Sequence, residues 1–328
     1  MKRNYYIVKN GILRREKNTV YFESGEEKRI LPVNNIYAIY AHGKITFSSG
    51  VVSYLAKNGV PIHFFNKYGW YEATLYPRES LLAGDVLIKQ AMHYIDFDKR
   101  IYLAKEFIRG CGANLLKNLE YYGREIELSY EIKEISSFLA KLDEMGSIAE
   151  ILSMEGNMWN VYYQSFNKIL PSEFKFEKRS RQPPENMINC LISFGNSLLY
   201  SAILTEIYHT QLNPTISYLH EPSERRFSLC LDLAEVFKPL LADRVIFKLV
   251  NKKMIGKEKF RKEFNYCLLN DEGKRIFLQA WDGKLRTTIT HRRLKRKVSY
   301  QRLIRLECYK LIKHLLGEKE YRAFRIWW

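Results

Sequence analysis

The stretch NPTISYLHEPSERRFSLCLDLAEVFKP, from Asn213 to Pro239, organises the chain. It places His220 in a proline-punctuated turn and Asp232 and Glu235 on the apolar-periodic segment that follows. Leu229, Leu231, Leu233 and Phe237 supply the packing that fixes such a segment against a core, while Pro222 and Pro239 mark where regular structure pauses. On a helix, positions 232 and 235 are three apart and project from one face. One imidazole and two carboxylates then converge, a set that suits a divalent cation.

Upstream of this stretch, proline usage divides the chain. Pro32, Pro61 and Pro77 fall early and none follows until Pro171, a gap that permits long uninterrupted helices. Before the gap, NYYIVK, GILRRE, TVYFES, GEEKRILPVNNIYAIYAHG and VPIHFFNKYGWYEATLYP have the β-branched and aromatic content of strands. Among them SSGVVSYLAKNG reads as a short helix, with Ser48 or Ser49 at its cap and Gly59 after its end. Beyond Pro77, apolar residues recur at helical period from Ser80 to Tyr122, and a further helix spans Leu128 to Leu142. Ser147 and Glu150 form a capping box opening the helix that carries Glu155. The tail after Pro239 lacks proline and reads as helical to its end. The expected fold is therefore α+β: a small, mainly β domain over residues 1–77 and a larger all-α domain over 78–328.

Composition narrows the partner. The 328 residues carry 53 Lys and Arg against 36 Asp and Glu, a formal net charge of +17, so the natural ligand is a polyanion, with nucleic acid ahead of an anionic membrane. From Trp281 onward there are fourteen basic and four acidic residues, which places most of the positive field in the tail. Cys111, Cys190, Cys230, Cys267 and Cys308 show no C-x-x-C spacing and read as buried thiols in a reducing, cytoplasmic setting. Asn186 to Thr205 carries no charge, yet Asn189, Ser193, Gly195, Asn196, Ser197 and Ser201 interrupt it, which favours a buried helix over a membrane span. Walker, Rossmann and nucleophilic-triad patterns are absent.

The run LHEPSERRFSLCLDLAEVFKP resembles the signature of the CRISPR-associated endonuclease and spacer-integrase family, as do MEGNMW around Glu155 and RQPPENMINCLISFGNSLLYSAI from Arg181. Three motifs in order, with the β-then-α layout, extend the resemblance over nearly the whole chain. The resemblance implies that Glu155, His220 and Glu235 ligate Mg²⁺ or Mn²⁺, and that Gly156 lets a neighbouring element approach closely. It also implies a homodimer formed through the β domain, and a small CRISPR-associated ferredoxin-like partner protein. The activity implied is insertion of prespacer DNA into a CRISPR array by 3′-hydroxyl transesterification.

Each residue also has a plainer reading. An isolated Glu on a helix is ordinarily solvated surface, and it is the motif that singles out Glu155. A loop histidine is ordinarily only polar; His42, His63, His93, His209, His291 and His314 have no motif, whereas His220 has two acids at fixed spacing. Asp232 lies among apolar neighbours, where a carboxylate costs free energy unless paired or metal-bound, and is assigned to supporting or alternate-ligand duty. Asn189 and Tyr200 are adequately explained as a buried polar contact and a core aromatic. Many relatives have arginines after the E-G pair where this chain has Asn157, Met158 and Trp159; Arg179, Arg181, Arg225 and Arg226 are the candidates to compensate. The basic run HRRLKRKVSYQRLIR, with Arg286, Arg292, Arg293, Lys295, Arg296 and Lys297, tracks a DNA backbone on this reading. Double-stranded and branched DNA are the expected substrates. The rivals are a stand-alone nuclease acting on branched DNA and a non-catalytic nucleic-acid-binding scaffold.

Overall fold

Residues 2–78, 81–181, 183–222 and 227–328 are described by the computed structural model of this chain. The first part is a run of strands: β1 (Arg3–Ile7), β2 (Gly11–Glu16), β3 (Thr19–Ser24), β4 (Glu27–Leu31), β5 (Ile36–Ala41) and β6 (Ile45–Phe47). Helix α1 (Ser49–Lys57) then precedes β7 (Ile62–Phe65) and β8 (Tyr71–Leu75). One four-stranded sheet has the order β1-β5-β7-β8, parallel except for the β7–β8 hairpin; the other has the order β4-β3-β2-β6, with β6 parallel to β2. Leu13, Val20, Ile39, Val51, Leu55 and Ile62 form a common apolar cluster. Helix α1 starts after Ser48 and stops before Gly59, whose φ of 67° is a conformation glycine adopts without steric cost.

Helices α2 (Gly84–Ile95), α3 (Phe97–Tyr122), α4 (Ser129–Lys141), α5 (Ile148–Ile169), α6 (Met187–Tyr208) and α7 (Ser228–Phe237) follow. The periodic run that the sequence reading began at Ser80, which lies outside the described residues, is two helices. They break at Asp96, whose carboxylate accepts the Lys99 N–H at 3.1 Å and caps α3. The Ser147–Glu150 capping box is present, with reciprocal bonds of 3.2 and 3.0 Å. Helix α6 is apolar and long enough to cross a bilayer, but it runs through the core. Its polar groups explain why it belongs there. Ser197 Oγ accepts the Tyr71 N–H at 2.8 Å, Thr205 Oγ1 pairs with His63 Nε2 at 2.7 Å, and Glu206 accepts from Tyr37 at 2.6 Å. These bonds lock the β1-β5-β7-β8 sheet to α6.

A π-helical turn (Pro239–Asp243) leads into α8 (Arg244–Asn251), β9 (Phe260–Glu263), β10 (Tyr266–Leu269), α9 (Asp271–Arg286), β11 (Thr288–Thr290), β12 (Lys297–Ser299) and α10 (Tyr300–Leu315). The mixed α+β fold stands as expected, but the tail is not helical to its end. Two hairpins interrupt it, and residues 318–328 carry no helix or strand. Absence of proline permits a helix without requiring one. The β-branched and aromatic residues at 260, 266, 288–290 and 298 pair as strands, while the last segment is held by side chains: Glu307 accepts from Phe324 N at 2.8 Å and Asn114 from Ile326 N at 2.7 Å.

His42 offers a test of core electrostatics. It is buried and stacks on Phe65 at a ring separation of 4.1 Å, and neither ring nitrogen has a hydrogen-bond partner among the described residues. Burial, reinforced by Lys274, pushes its pKa down to about 3. Because an unfolded imidazole titrates near 6.5, this contribution to stability is complete above about pH 6.5. It is lost as the pH falls towards 3, at about 1.4 kcal/mol per unit. His42→Phe is therefore expected to reduce the loss of stability between pH 7 and pH 5 by about 2 kcal/mol, measured by urea unfolding. Equal acid sensitivity in the two proteins would show that His42 takes up its proton without unfolding.

Candidate metal and DNA site

Helix α5 buries Ile151, Met154 and Met158 and leaves Glu155 at the part-buried margin of that face. Helix α7 buries Leu229, Cys230, Leu233, Val236 and Phe237 and carries Asp232 and Glu235 one turn apart. The Glu155 and Glu235 carboxyls lie close enough for each to act on the other's ionisation. Burial, followed by the charge of Glu235, pushes the Glu155 pKa up to about 7. Glu235 is 1% exposed, and burial alone would raise its pKa too, but Lys238, the charge of His220 and the bond from Trp159 together outweigh that and hold it down. Lys238 pairs with Glu235 Oε1, and Trp159 Nε1 donates to Oε2 at 2.7 Å. The Lys238 ammonium also lies 5.1 Å from the Trp159 ring centroid.

Asp232 takes different partners despite sharing a helix face with Glu235. Its Oδ2 accepts the backbone N–H groups of Tyr218 and Leu219 at 2.6 and 3.1 Å. Its Oδ1 accepts His220 N and His220 Nδ1, both at 2.9 Å. A fully buried carboxylate thus repays its desolvation by organising the whole turn, and it fixes which nitrogen of His220 is engaged. Burial disfavours the charged imidazole, but the bond and charge of Asp232 prevail and hold the His220 pKa above its ordinary value. The charge of His220 is felt at both Glu155 and Glu235.

Three neighbours escaped the sequence reading. Trp159 was noted only as a departure from arginine, and Lys238 not at all, although its i+3 spacing from Glu235 was a visible signal. The third is Asp243, completely buried on the π-helical turn, with its pKa pushed up to about 8 by burial against the opposing charge of Lys238. No local pattern marks it. Asn189 accepts from Arg179 Nη1 at 3.0 Å and from Ser180 N at 3.2 Å, anchoring the basic connector, and Tyr200 OH accepts the Phe227 N–H at 2.9 Å. Gly156 differs from expectation. A Cβ built there meets nothing within 4 Å among the described residues, so none of their elements requires glycine at that position.

The basic candidates are spread more widely. Arg181 is exposed on the connector, while Arg225 and Arg226 lie outside the described residues. Arg292, Arg293, Lys295 and Arg296 occupy the exposed turn between β11 and β12, and Lys297 opens β12. Arg286, at the end of α9, pairs with Asp282 at 2.9 Å. No hydrogen bond or ion pair among the described residues joins this hairpin to Glu155 or Glu235.

The donor chemistry fits a hard divalent cation. Two glutamates from different helices press together closely enough to raise a carboxyl pKa, and a cation relieves the same repulsion that a proton relieves. His220, oriented through Nδ1, retains Nε2 as its remaining ligating nitrogen. Among the described residues, no three His, Cys, Asp or Glu side chains converge as a metal-holding group. Glu235 is instead occupied by Lys238 and Trp159, so Lys238 supplies the compensating positive charge.

The family model for CRISPR-associated protein Cas1 matches residues 5–283. A protein of Methanobrevibacter ruminantium named CRISPR-associated protein Cas1 1 is 58% identical over 327 residues, covering 100% of this chain and 99% of its own. The CRISPR-associated endonuclease Cas1 of Methanothermobacter thermautotrophicus is 54% identical over 327 residues, covering 100% and 96%. Among solved structures, a CAS1 protein from Thermotoga maritima superposes with a TM-score of 0.90 at 37% identity, over 98% of this chain and 100% of that one. From its β-then-α architecture to its glutamate and histidine motifs, the chain belongs to the Cas1 family of CRISPR-associated proteins.

Proposed function

We propose that this chain is a divalent-metal-dependent DNA endonuclease and integrase of CRISPR adaptation. It directs the 3′-hydroxyl of a prespacer onto a phosphodiester at a repeat boundary. A new oxygen–phosphorus bond forms as the bond to the leaving 3′-oxygen breaks, so no covalent enzyme intermediate is needed. The observation that carries this reading is the His220 ring held by Asp232 of α7 through Nδ1 at 2.9 Å, beside Glu235 of the same helix and near enough to Glu155 of α5 for their charges to interact. The CRISPR-associated endonuclease of Methanothermobacter thermautotrophicus, to which the chain is similar, supports the nuclease half.

Glu155, His220 and Glu235 are the residues that would hold Mg²⁺ or Mn²⁺. Such an ion polarises a phosphate and lowers the pKa of an attacking hydroxyl. Asp232 keeps the Nδ1 proton of His220 and presents Nε2, while Lys238 offsets negative charge when phosphate enters. Trp159 fixes the Glu235 rotamer through its 2.7 Å bond. Arg181, Arg225, Arg226, Arg286 and the Arg292–Lys297 turn hold the DNA backbone without reading its sequence. A homodimer and a small ferredoxin-like partner protein belong to the same proposal, supported by likeness to the family. An exposed apolar stripe on α2, with Leu87, Ile88, Met92 and Ile95, is a surface suited to protein contact.

A labelled branched duplex resembling a half-integrated product tests the reading, since strand transfer is reversible. Metal-dependent release of a resealed strand is expected. Cuts without resealing indicate a stand-alone nuclease, and no product even with the small partner present overturns the enzymatic reading. Asp232→Asn is expected to raise the Mn²⁺ concentration needed for half-maximal activity by about 10–100-fold, because His220 loses its orienting acceptor. An unchanged Mn²⁺ titration would remove Asp232 from this role, and thermal melts separate it from loss of folding.

A further inference from the structure

The β9–β10 hairpin ends in a two-residue turn, Phe264–Asn265, which has no task in the site described above. Phe264 is 93% exposed and sits at φ 54°. That left-handed backbone is unfavourable for a bulky side chain, whereas asparagine, its neighbour, accepts it readily. A large apolar ring held in solvent on an unfavourable backbone points to a contact made outside this chain.

The aromatic surface continues below the tip. Tyr266 stacks on Tyr68 at 5.1 Å and 19°, and Tyr68 packs against Trp70 at 5.0 Å. Two turns almost two hundred residues apart in sequence thus build one ridge, as the distance from Tyr68 to Tyr266 shows. Arg261 and Lys262 are exposed on β9, and no salt bridge engages either among the described residues. Lys67 lies 4.8 Å from the Tyr68 ring centroid and pairs with Glu263 at 2.8 Å. Beside the tip is a cleft of about 510 Å³ that includes Pro183, Lys262, Phe264 and Tyr266 in its lining. The hairpin is tied to the basic connector, since Cys267 N donates to Pro184 O at 2.9 Å. Arg179 is close enough for its charge to act on Asp243. Pro184 is five residues from Arg179, and five extended residues span at most about 18 Å.

Bases inside a duplex are already stacked, so an aromatic ridge gains most from bases whose faces are open, and adjacent cations attract the backbone that carries them. We propose that the β9–β10 hairpin is a stacking platform for an unpaired DNA segment, with Phe264 covering a base and Lys262, which lines the same cleft, facing its phosphates. The proposal rests on the DNA-joining reading above and adds a second contact area to it.

Metal-free binding separates the two. The full chain is titrated into a blunt duplex and into the same duplex with a short unpaired tail containing 2-aminopurine, following anisotropy and base fluorescence. The tail is expected to tighten wild-type binding and its fluorescence to be quenched. Phe264→Ala should weaken tailed-DNA binding by roughly 5- to 100-fold and abolish quenching while leaving blunt-duplex binding intact, and Phe264→Trp should preserve both signals. The platform is overturned if the tail adds nothing in the wild type, if Phe264→Ala weakens both DNAs equally, or if it changes neither. The last result would assign the hairpin to a protein partner. Failure of the wild type to bind either DNA would instead overturn the underlying DNA-joining reading.

Discussion

Glu155→Gln is expected to lower metal-dependent strand joining by about 1000-fold or more, since the several kcal/mol that a bound metal contributes to the transition state are lost with its ligand. The same change should leave the metal-free protein at least as stable as the wild type. Glu155 is part-buried near Glu235, and its carboxyl pKa is raised by that environment, so ionising it works against the fold. Glutamine keeps the shape but removes one of the two competing charges. A ligand variant that is inactive yet no less stable differs from an ordinary core lesion, which loses both properties together. Joining rates at saturating Mn²⁺ and chelator-treated denaturation curves give the two readouts. A variant that joins DNA within tenfold of the wild-type rate, or one that is inactive because it is unfolded, would remove Glu155 from the proposed ligand set.

The largest stability effect is expected far from that pair. Glu206 is 1% exposed on α6 and accepts from Tyr37 of β5 at 2.6 Å, Gln301 of α10 at 3.0 Å and Arg305 Nε of α10 at 2.7 Å. Burial raises its pKa, and Arg305 is the principal charge opposing that shift. Arg305→Ala leaves this carboxylate without its cation in a site water does not reach, and should cost about 3–5 kcal/mol in denaturant unfolding. Replacing both partners, as Glu206→Gln with Arg305→Met, should recover much of the loss because no buried charge remains. A loss below about 1 kcal/mol for Arg305→Ala would place the pair with solvent-screened surface bridges. Because the network joins a strand to two helices, the sheets and the helical part should lose stability together.

Local chemistry was legible in the residues. The strands before Pro77, the Ser147–Glu150 box, the buried course of α6 and the spacing of Asp232 and Glu235 follow from side-chain periodicity, capping groups and proline placement, all of which act over a few residues. The Asn213–Pro239 motif was legible for the same reason. The partners that those side chains choose were not. Asp232 and Glu235 share a helix face, yet one gathers the His220 turn and the other meets Glu155, Trp159 and Lys238. That division depends on where α5 and the 217–220 turn pack, which no spacing along α7 encodes.

The tail shows the same limit. A proline-free run satisfies helix and hairpin alike until β9 finds β10 and β11 finds β12. Asp243 and Glu206 look like ordinary acids in sequence, and only burial by distant segments changes their ionisation. By itself the sequence determined the early strands and the main helical segments before Pro239, and it singled out the motif residues proposed above for metal binding, because periodicity, capping and spacing are local. The tertiary structure alone decided which charges are buried and what faces them, because desolvation and pairing depend on neighbours far apart in the chain.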